Sequence, residues 1–437
     1  MKRVLHRIDR IEVIFDDPNL VADAGLLLVG TLVLRLELEA LIDSMVRLGR
    51  RVGGARPGRK ILTLVHSIIG GGSHIDHANK LRAGNTAGVL PHRVMAPSTL
   101  GTFLRAFTFG HVRQLEAVVG ETLRRAWRFG AGPGNERLVI DVDSTICEVE
   151  GKQKQGAAYG YTKVLGYHPL VASRSGTSEV LHARMRKGSA NTARGARRFI
   201  EEVVARVRRA GATGELVMRF DSGFWSNETI KTLGRLGVRY TMAVRTNHKG
   251  PAKAIAAIPD DAWVSIDYTP DGEAQVAETT YNGRRLIVRR TRLTGKAQQK
   301  LWPDWRHFGF LTDLTNDAVT VDAFHRQHAV VELAIRDLKE GAGLEHVPSG
   351  NFSANSAWLQ CAVLAHNLTR WTATIGEADP ADQHAVAATI RRQLIDVPGR
   401  LVNHAGAPVL RGPLNWPWRA WFQHRLAALR KLEPLTG

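Results

Sequence analysis

Two runs of β-prone residues, each closed by an aspartate, constrain the fold of this 437-residue chain more than any other feature. Residues 136–145 read ERLVIDVDST and residues 214–224 read GELVMRFDSGF, with an Arg-rich helix predicted between them over about Thr192 to Ala210. Strands alternating with a helix call for a mixed α/β domain. A carboxylate ending an apolar strand is costly to bury unless it faces solvent, meets a cation or binds metal. Aspartate also ends strands because it suits turns. Two such ends, Asp143 and Asp221, in one α/β domain point instead to chemistry. Asp141 alternates onto the same strand face as Asp143, so it is either a supporting acid or the true ligand.

The texture on either side divides the chain. Residues 1–130 carry long Leu/Val/Ala patterns and read as a helical region. Its Arg47–Lys60 loop, rich in Gly and Arg, separates two helical parts. Helices are predicted at about Lys60 to Ile69 and about Ile75 to Leu81, around a Gly70–Gly72 break. A third opens with Ser98 as its N-cap. This grouping is compatible with a helix-turn-helix DNA-binding unit. Residues 131–237 read as the first part of the α/β core, 238–315 as a β-rich insertion and 316–375 as the second part of the core. Residues 376–437 read as a helical C-terminal region with a Trp-bearing tail (Trp416, Trp418, Trp421). Within the insertion, a hairpin turns at Asn282-Gly283, a pair suited to a type I′ turn.

Composition narrows the partners. Lys and Arg number 60 against 41 Asp and Glu, a net charge of +19 spread over several segments. Clusters lie at Arg47, Arg50, Arg51, Arg56, Arg59 and Lys60, at Arg184, Arg186 and Lys187, and along the 194–209 and 284–292 runs. Distributed charge of one sign fits a long anionic track, and duplex DNA is one. The longest apolar run, Ala24–Leu34, is about half of what a membrane-crossing helix needs, so no membrane partner is expected. The N-terminus has no secretory pattern. Two cysteines make no disulfide framework, so a cytoplasmic protein is expected.

The third chemical element is a helix predicted over about Val321 to Glu340. Phe324, Val331, Ile335 and Leu338 form its buried stripe, while His325, His328, Glu332, Arg336 and Lys339 line an adjacent face. Glu332 and Arg336 could be a simple surface pair. The His-x2-His-x3-Glu spacing does not match the four-residue His spacing usual on zinc helices.

Asp143 in DST, Asp221 in RFDSGF and Glu332 seven residues before Lys339 resemble the DDE transposases of bacterial insertion sequences. The chain is most similar to the thirteen-eighty family, transposase DDE domain group 1. The Tyr159–Tyr161 and Tyr167–Leu170 segments, the RMRKGSAN run from Arg184 and the C-terminal NWPWRAWF extend the resemblance over nearly the whole chain. It implies a ribonuclease-H-like core with a β-rich insertion. It also implies cut-and-paste transposition, in which terminal inverted repeats are bound, cleaved, and joined through their 3′-OH ends to target DNA. Asp143, Asp221 and Glu332 would hold two Mg²⁺ ions, with Mn²⁺ as a substitute, clamping the attacking and leaving oxygens. Lys339, Arg336, His328 and His325 would face phosphate. His325 and His328 depart from the family, filling positions where relatives carry Tyr and Arg. Trp263, Trp302 and Trp305 are candidates for stacking on a flipped base if a hairpin route is used. Two DNA ends in one complex imply a homodimer on DNA. The rival readings are a nuclease of the same fold without strand transfer and a DNA-binding regulator.

Overall fold

Five helices fill the N-terminal part: α1 (Leu26–Arg35), α2 (Leu38–Met45), α3 (Pro57–Ile69), α4 (Pro97–Arg105) and α5 (Phe109–Ala126). They belong to a computed structural model that describes residues 8–160, 162–268, 270, 272–293, 305–376 and 385–435. Pro97 occupies the first turn of α4, so this helix starts one residue before the predicted cap. A proline's fixed φ and missing N–H suit that position. Residues 75–82, predicted as an α-helix, form 3₁₀ turns. Every residue of α3 except Arg59 is buried. A helix covered on all sides cannot enter a DNA groove, which corrects the helix-turn-helix expectation for this segment.

One mixed nine-stranded sheet lies beside these helices. Its first half comprises β1 (Leu138–Ser144), β2 (Leu170–Arg174), β3 (Val180–Arg184), β4 (Leu216–Phe220) and β5 (Arg239–Val244), in the spatial order β3-β2-β1-β4-β5. β4 and β5 run parallel to β1, whereas β2 is antiparallel to β1 and β3 to β2. Parallel neighbours need crossovers. These are α6 (Ala196–Ala210), which buries Phe199, Ile200, Val203 and Val207, and α7 (Asn227–Arg235). All five residues of β4 are buried, as expected of a strand covered on both faces.

The second half continues the same sheet. After α8 (Lys249–Ala256) come β6 (Val264–Ile266), β7 (Gly272–Tyr281), β8 (Arg284–Leu293) and β9 (Arg306–Thr312), and β9 pairs antiparallel with β5. The β7–β8 turn has Asn282 at φ 51° and Gly283 at φ 69°, the left-handed pair that the sequence calls for.

The predicted 321–340 helix is a helical path with two changes of pitch. α9 (Ala318–Arg326) tightens to a 3₁₀ turn at Gln327–Ala329, resumes as α10 (Val330–Arg336), and widens to a π turn at Asp337–Gly341. Asp337 Oδ1 accepts the Ala387 N–H at 2.8 Å and fixes this wide turn. α11 (Phe352–Thr374) is buried from Ala354 to Ala373 and packs against α3, α5 and β3. Its Asn367 bonds both backbone groups of Val180 at 2.9 Å, satisfying part of the exposed side of edge strand β3.

After the short α12 (Ala387–Ile390), the C-terminal region departs from the all-helical expectation. It folds a hairpin of β10 (Gly399–His404) and β11 (Ala407–Arg411), and β10 pairs with Leu20–Val21, before α13 (Arg419–Lys431). Its turn uses Ala405 at φ 51° and Gly406 at φ 81°. Alanine is rarely found there, and that hid the turn in the sequence. Among the described residues, no helix is long and apolar enough to cross a membrane.

Candidate active site

The site is built by register. β1 and β4 pair in parallel with Asp141 opposite Arg219 and Val142 opposite Phe220. One step further along both strands come Asp143 and Asp221, side by side at the strand ends. Period-two alternation puts Asp143 on the face of Asp141, and Asp221 on the face of Arg219. Asp143 Oδ1 accepts the Ser144 N–H at 2.6 Å, and Asp221 Oδ1 accepts the Gly223 N–H at 3.1 Å. α10 packs against β1 and β2. It brings Glu332 to a cleft of about 340 Å³, lined by Asp143, Thr145, Glu332, Arg336 and Lys339 among others.

The electrostatics link the three acids. Burial pushes Asp143 up to about 6; Asp221 and Glu332 add like charge, while the Ser144 N–H and His328 oppose the rise. Burial also raises Asp221, against the Gly223 N–H, His328 and Arg245. Carboxylates crowded so that one is held partly protonated form a site short of positive charge.

Asp141 has a different environment. Its two oxygens receive Arg219 Nε and Nη2, each at 2.7 Å, and both side chains are buried. Oδ1 also meets His328 Nδ1 at 2.8 Å. Arg219 in turn donates to the Phe324 carbonyl at 2.8 Å and to Ser175 Oγ at 2.7 Å. Both oxygens of Asp141 are thus engaged within the protein, whereas Asp143 faces the cleft. His325 is turned inward: it bonds Thr241 Oγ1 at 2.7 Å and stacks on Phe310 at 4.2 Å. Burial pushes its pKa well below the ordinary value. Its two ring contacts lie within the protein, and the side chain is half-buried. The His325 and His328 rings stack with centroids 6.2 Å apart, and each is tied by a hydrogen bond to a different group, Thr241 and Asp141.

Other predicted DNA contacts are engaged within the protein. Lys60 is buried, with its ammonium donating to the Gly53 carbonyl at 2.6 Å and to that of Ala55. It closes its own loop. Arg59 pairs with Glu39 at 2.9 Å. Arg186 donates to the carbonyls of His168, Asn191, Thr192 and Arg194. Arg184 binds Glu116 and Glu202, and Arg113 binds the same two acids. Glu116, His182 and Glu202 have ligand atoms within 4.8 Å of one another. Arginines already neutralise these carboxylates, so the cluster ties α5, β3 and α6 together without needing an ion. Arg47, Arg50, Arg51, Arg56 and Lys187 remain exposed.

Two residues near the acids escaped the sequence reading. His168 Nε2 meets Ser144 Oγ at 2.9 Å, directly beside Asp143, although a lone histidine before a proline carries no signal. Arg245, exposed at the end of β5, acts on Asp221 and was one arginine among many. In the insertion, Arg290 lies 4.1 Å from the Trp263 ring and 4.4 Å from that of Trp305. These two rings therefore already stack on a cation. Trp302 and Tyr161 fall outside the described residues.

The sequence-family model for the transposase DDE domain group 1 matches residues 4–434. Among solved structures, the chain is similar to a piggyBac transposase in a synaptic complex with hairpin DNA, determined by cryo-electron microscopy. That likeness has 11% identity, covers 94% of this chain and 85% of that one, and has a TM-score of 0.46. No curated protein matches the chain.

Proposed function

The chain belongs to the transposase DDE domain group 1 family, and on that premise we propose that it is a cut-and-paste DNA transposase whose acids are Asp143, Asp221 and Glu332. The five strands β3-β2-β1-β4-β5 and the crossover helices are, in this reading, its ribonuclease-H-like core, and β6–β9 its insertion. The observation that carries the assignment is the β1–β4 register, which brings Asp143 and Asp221 side by side at the strand ends, with Glu332 lining the same cleft as Asp143.

Such a donor set fits a hard divalent cation, because it offers oxygen ligands with unneutralised negative charge. Asp143, Asp221 and Glu332 would hold two Mg²⁺, with Mn²⁺ able to replace them. When bound, the ions supply activation of the attacking oxygen and neutralisation of the phosphate in transit. The rest falls to the protein. Arg336 and Lys339 line the same cleft and would position the scissile phosphate. Arg245 would hold the adjacent strand. Asp141 and Arg219 keep the ends of β1 and β4 in fixed relation, so the acids do not separate when charge on the DNA approaches. Arg47, Arg50, Arg51, Arg56 and Lys187 would neutralise phosphates of the terminal repeats, and the working species on DNA would be a homodimer.

The test is a plasmid carrying the DNA that flanks the gene on both sides, incubated with the protein and Mg²⁺. End cleavage followed by joining of those ends to a second DNA is the expected result. Cleavage without joined products would leave a nuclease. Binding with neither activity would leave a DNA-binding regulator.

A further inference from the structure

His328 is held in a way that a phosphate-binding cation would not need. Its Nδ1 lies 2.8 Å from Asp141 Oδ1, and Asp141 is itself clamped by the two 2.7 Å bonds from Arg219. A carboxylate paired with arginine accepts hydrogen bonds and donates none, so the ring hydrogen sits on Nδ1. In the neutral ring, the form that can bind a metal, this leaves the lone pair on Nε2. Among the described residues no hydrogen bond reaches Nε2, and the side chain is 13% exposed. The ring therefore has one edge tied to the sheet and one edge open.

The ring sits beside the elements that carry the acids. His328 stands one turn before Glu332 on a continuous right-handed helical path. Asp141, its anchor, is two residues before Asp143 on the same strand face. A histidine whose far nitrogen donates to a buried carboxylate, with its near nitrogen free beside acids, has the tautomer and orientation of a metal-ligating imidazole.

We propose that His328 Nε2 is a ligand of one of the metal ions, making that position a mixed nitrogen and oxygen site with Asp141 and Arg219 as the support that aims the ring. This rests on the reading of Asp143, Asp221 and Glu332 as the metal-holding acids. A nitrogen donor shifts preference away from Mg²⁺ and toward Mn²⁺ and later divalent ions, which tolerate imidazole better. The site should therefore bind Mn²⁺ more tightly than an all-carboxylate site would.

The full-length protein with Mn²⁺ alone, without DNA, tests this through pulsed electron paramagnetic resonance. Directly bound imidazole is expected to give a nitrogen coupling on the manganese signal, shifted in character when the histidines carry ¹⁵N. His328→Gln should remove that coupling and weaken Mn²⁺ binding by roughly tenfold or more, with Mg²⁺ binding much less affected. Asp143→Asn should abolish Mn²⁺ binding. If Asp143→Asn abolishes binding yet the wild-type signal has no nitrogen coupling, His328 is no ligand and the proposal fails while the acidic site stands. If the coupling persists unchanged in His328→Gln, another histidine supplies it and the proposal is likewise overturned. If Mn²⁺ binding is indifferent to Asp143→Asn, the acidic site itself is wrong and the proposal falls with it.

Discussion

Asp141 and Asp143 lie two residues apart on β1, on one face, yet the same Asp→Asn change should move stability in opposite directions. At Asp141 the change removes the counter-charge of Arg219, leaving a fully buried guanidinium without a carboxylate. Removing one partner of such a buried pair costs about 3–5 kcal/mol. At Asp143 it removes a charge that the metal-free fold holds at a disadvantage. Its pKa is displaced from 3.8 to about 6, so the folded state binds the proton more tightly than the unfolded chain. Stability from this group is thus fully present below pH 3.8, declines as the pH rises through the interval to about 6, and is absent above it. The displacement corresponds to a ceiling of about 3 kcal/mol at pH 7.5. Solvent at the half-buried carboxyl reduces that, so Asp143→Asn should gain about 1–3 kcal/mol without metal. Thermal unfolding in EDTA, followed by tryptophan fluorescence at pH 7.5 and pH 4, makes the comparison. Asp143→Asn should melt above wild type at pH 7.5 and converge with it at pH 4, whereas Asp141→Asn should melt well below wild type at both. Adding Mg²⁺ should raise the wild-type melting temperature and leave that of Asp143→Asn unmoved. If Asp143→Asn were as destabilising as Asp141→Asn, Asp143 would be a structural acid and the active-site assignment would be refuted.

Further outcomes follow from the same geometry. Asp143→Asn should abolish cleavage while leaving affinity for the terminal repeats unchanged in a mobility-shift titration; equal loss of both would remove the distinction between binding and chemistry. Replacing Arg50, Arg51 or Arg56 with Ala should each reduce the slope of log affinity against log salt by ~0.9, and an unchanged slope for all three would take the loop off the DNA. Lys60→Met should lower the melting temperature through loss of its two carbonyl partners, with no change in that slope beyond the other loop variants' scatter. Glu332→Gln protein mixed with wild type should depress end cleavage more than its fraction in the mixture; a strictly proportional decline would mean that each end is processed by an independent monomer.

The strand ends were legible because their signal is local. Apolar alternation, a terminal Asp and a helix between two runs are all written within a few residues, and so is the Asn282-Gly283 turn. The Glu332 helix followed from its 3.6-residue period. What escaped was set by neighbours distant in the chain. Arg184 carries the same side chain as Arg50, but Glu116 and Glu202 happen to sit against it. Arg219 reads as an ordinary basic residue in a strand until the β1–β4 register puts Asp141 opposite. The change of composition near residue 130 is not a break in packing, for a related reason. α3 and α5 cover α11, more than two hundred residues later, so the N-terminal helices share one core with the rest of the chain. Composition changes at that point, but packing does not.

The residue-level corrections leave the charge argument intact, and the reason is arithmetic. An ion pair such as Arg113–Glu202 or Arg219–Asp141 removes one charge of each sign, so internal pairing cannot consume an excess of +19. Backbone-bonded cations such as Lys60 and Arg186 are the exception, since carbonyls solvate a charge without cancelling it. The surplus must therefore lie where water or an anion can reach it. Arg47, Arg50, Arg51 and Arg56 before α3, Lys187 after β3, Arg245 after β5, and Arg336 with Lys339 in the acidic cleft have no ion-pair partner among the described residues. These positions come from four separate segments, and one of the four carries Glu332. A field of that sign across several segments draws a polyanion toward a cleft whose own carboxylates would repel it. On the proposed function, the acids would take divalent cations, and DNA would take the surrounding arginines and lysines. Both requirements arise from the same crowding of negative charge at the ends of β1 and β4.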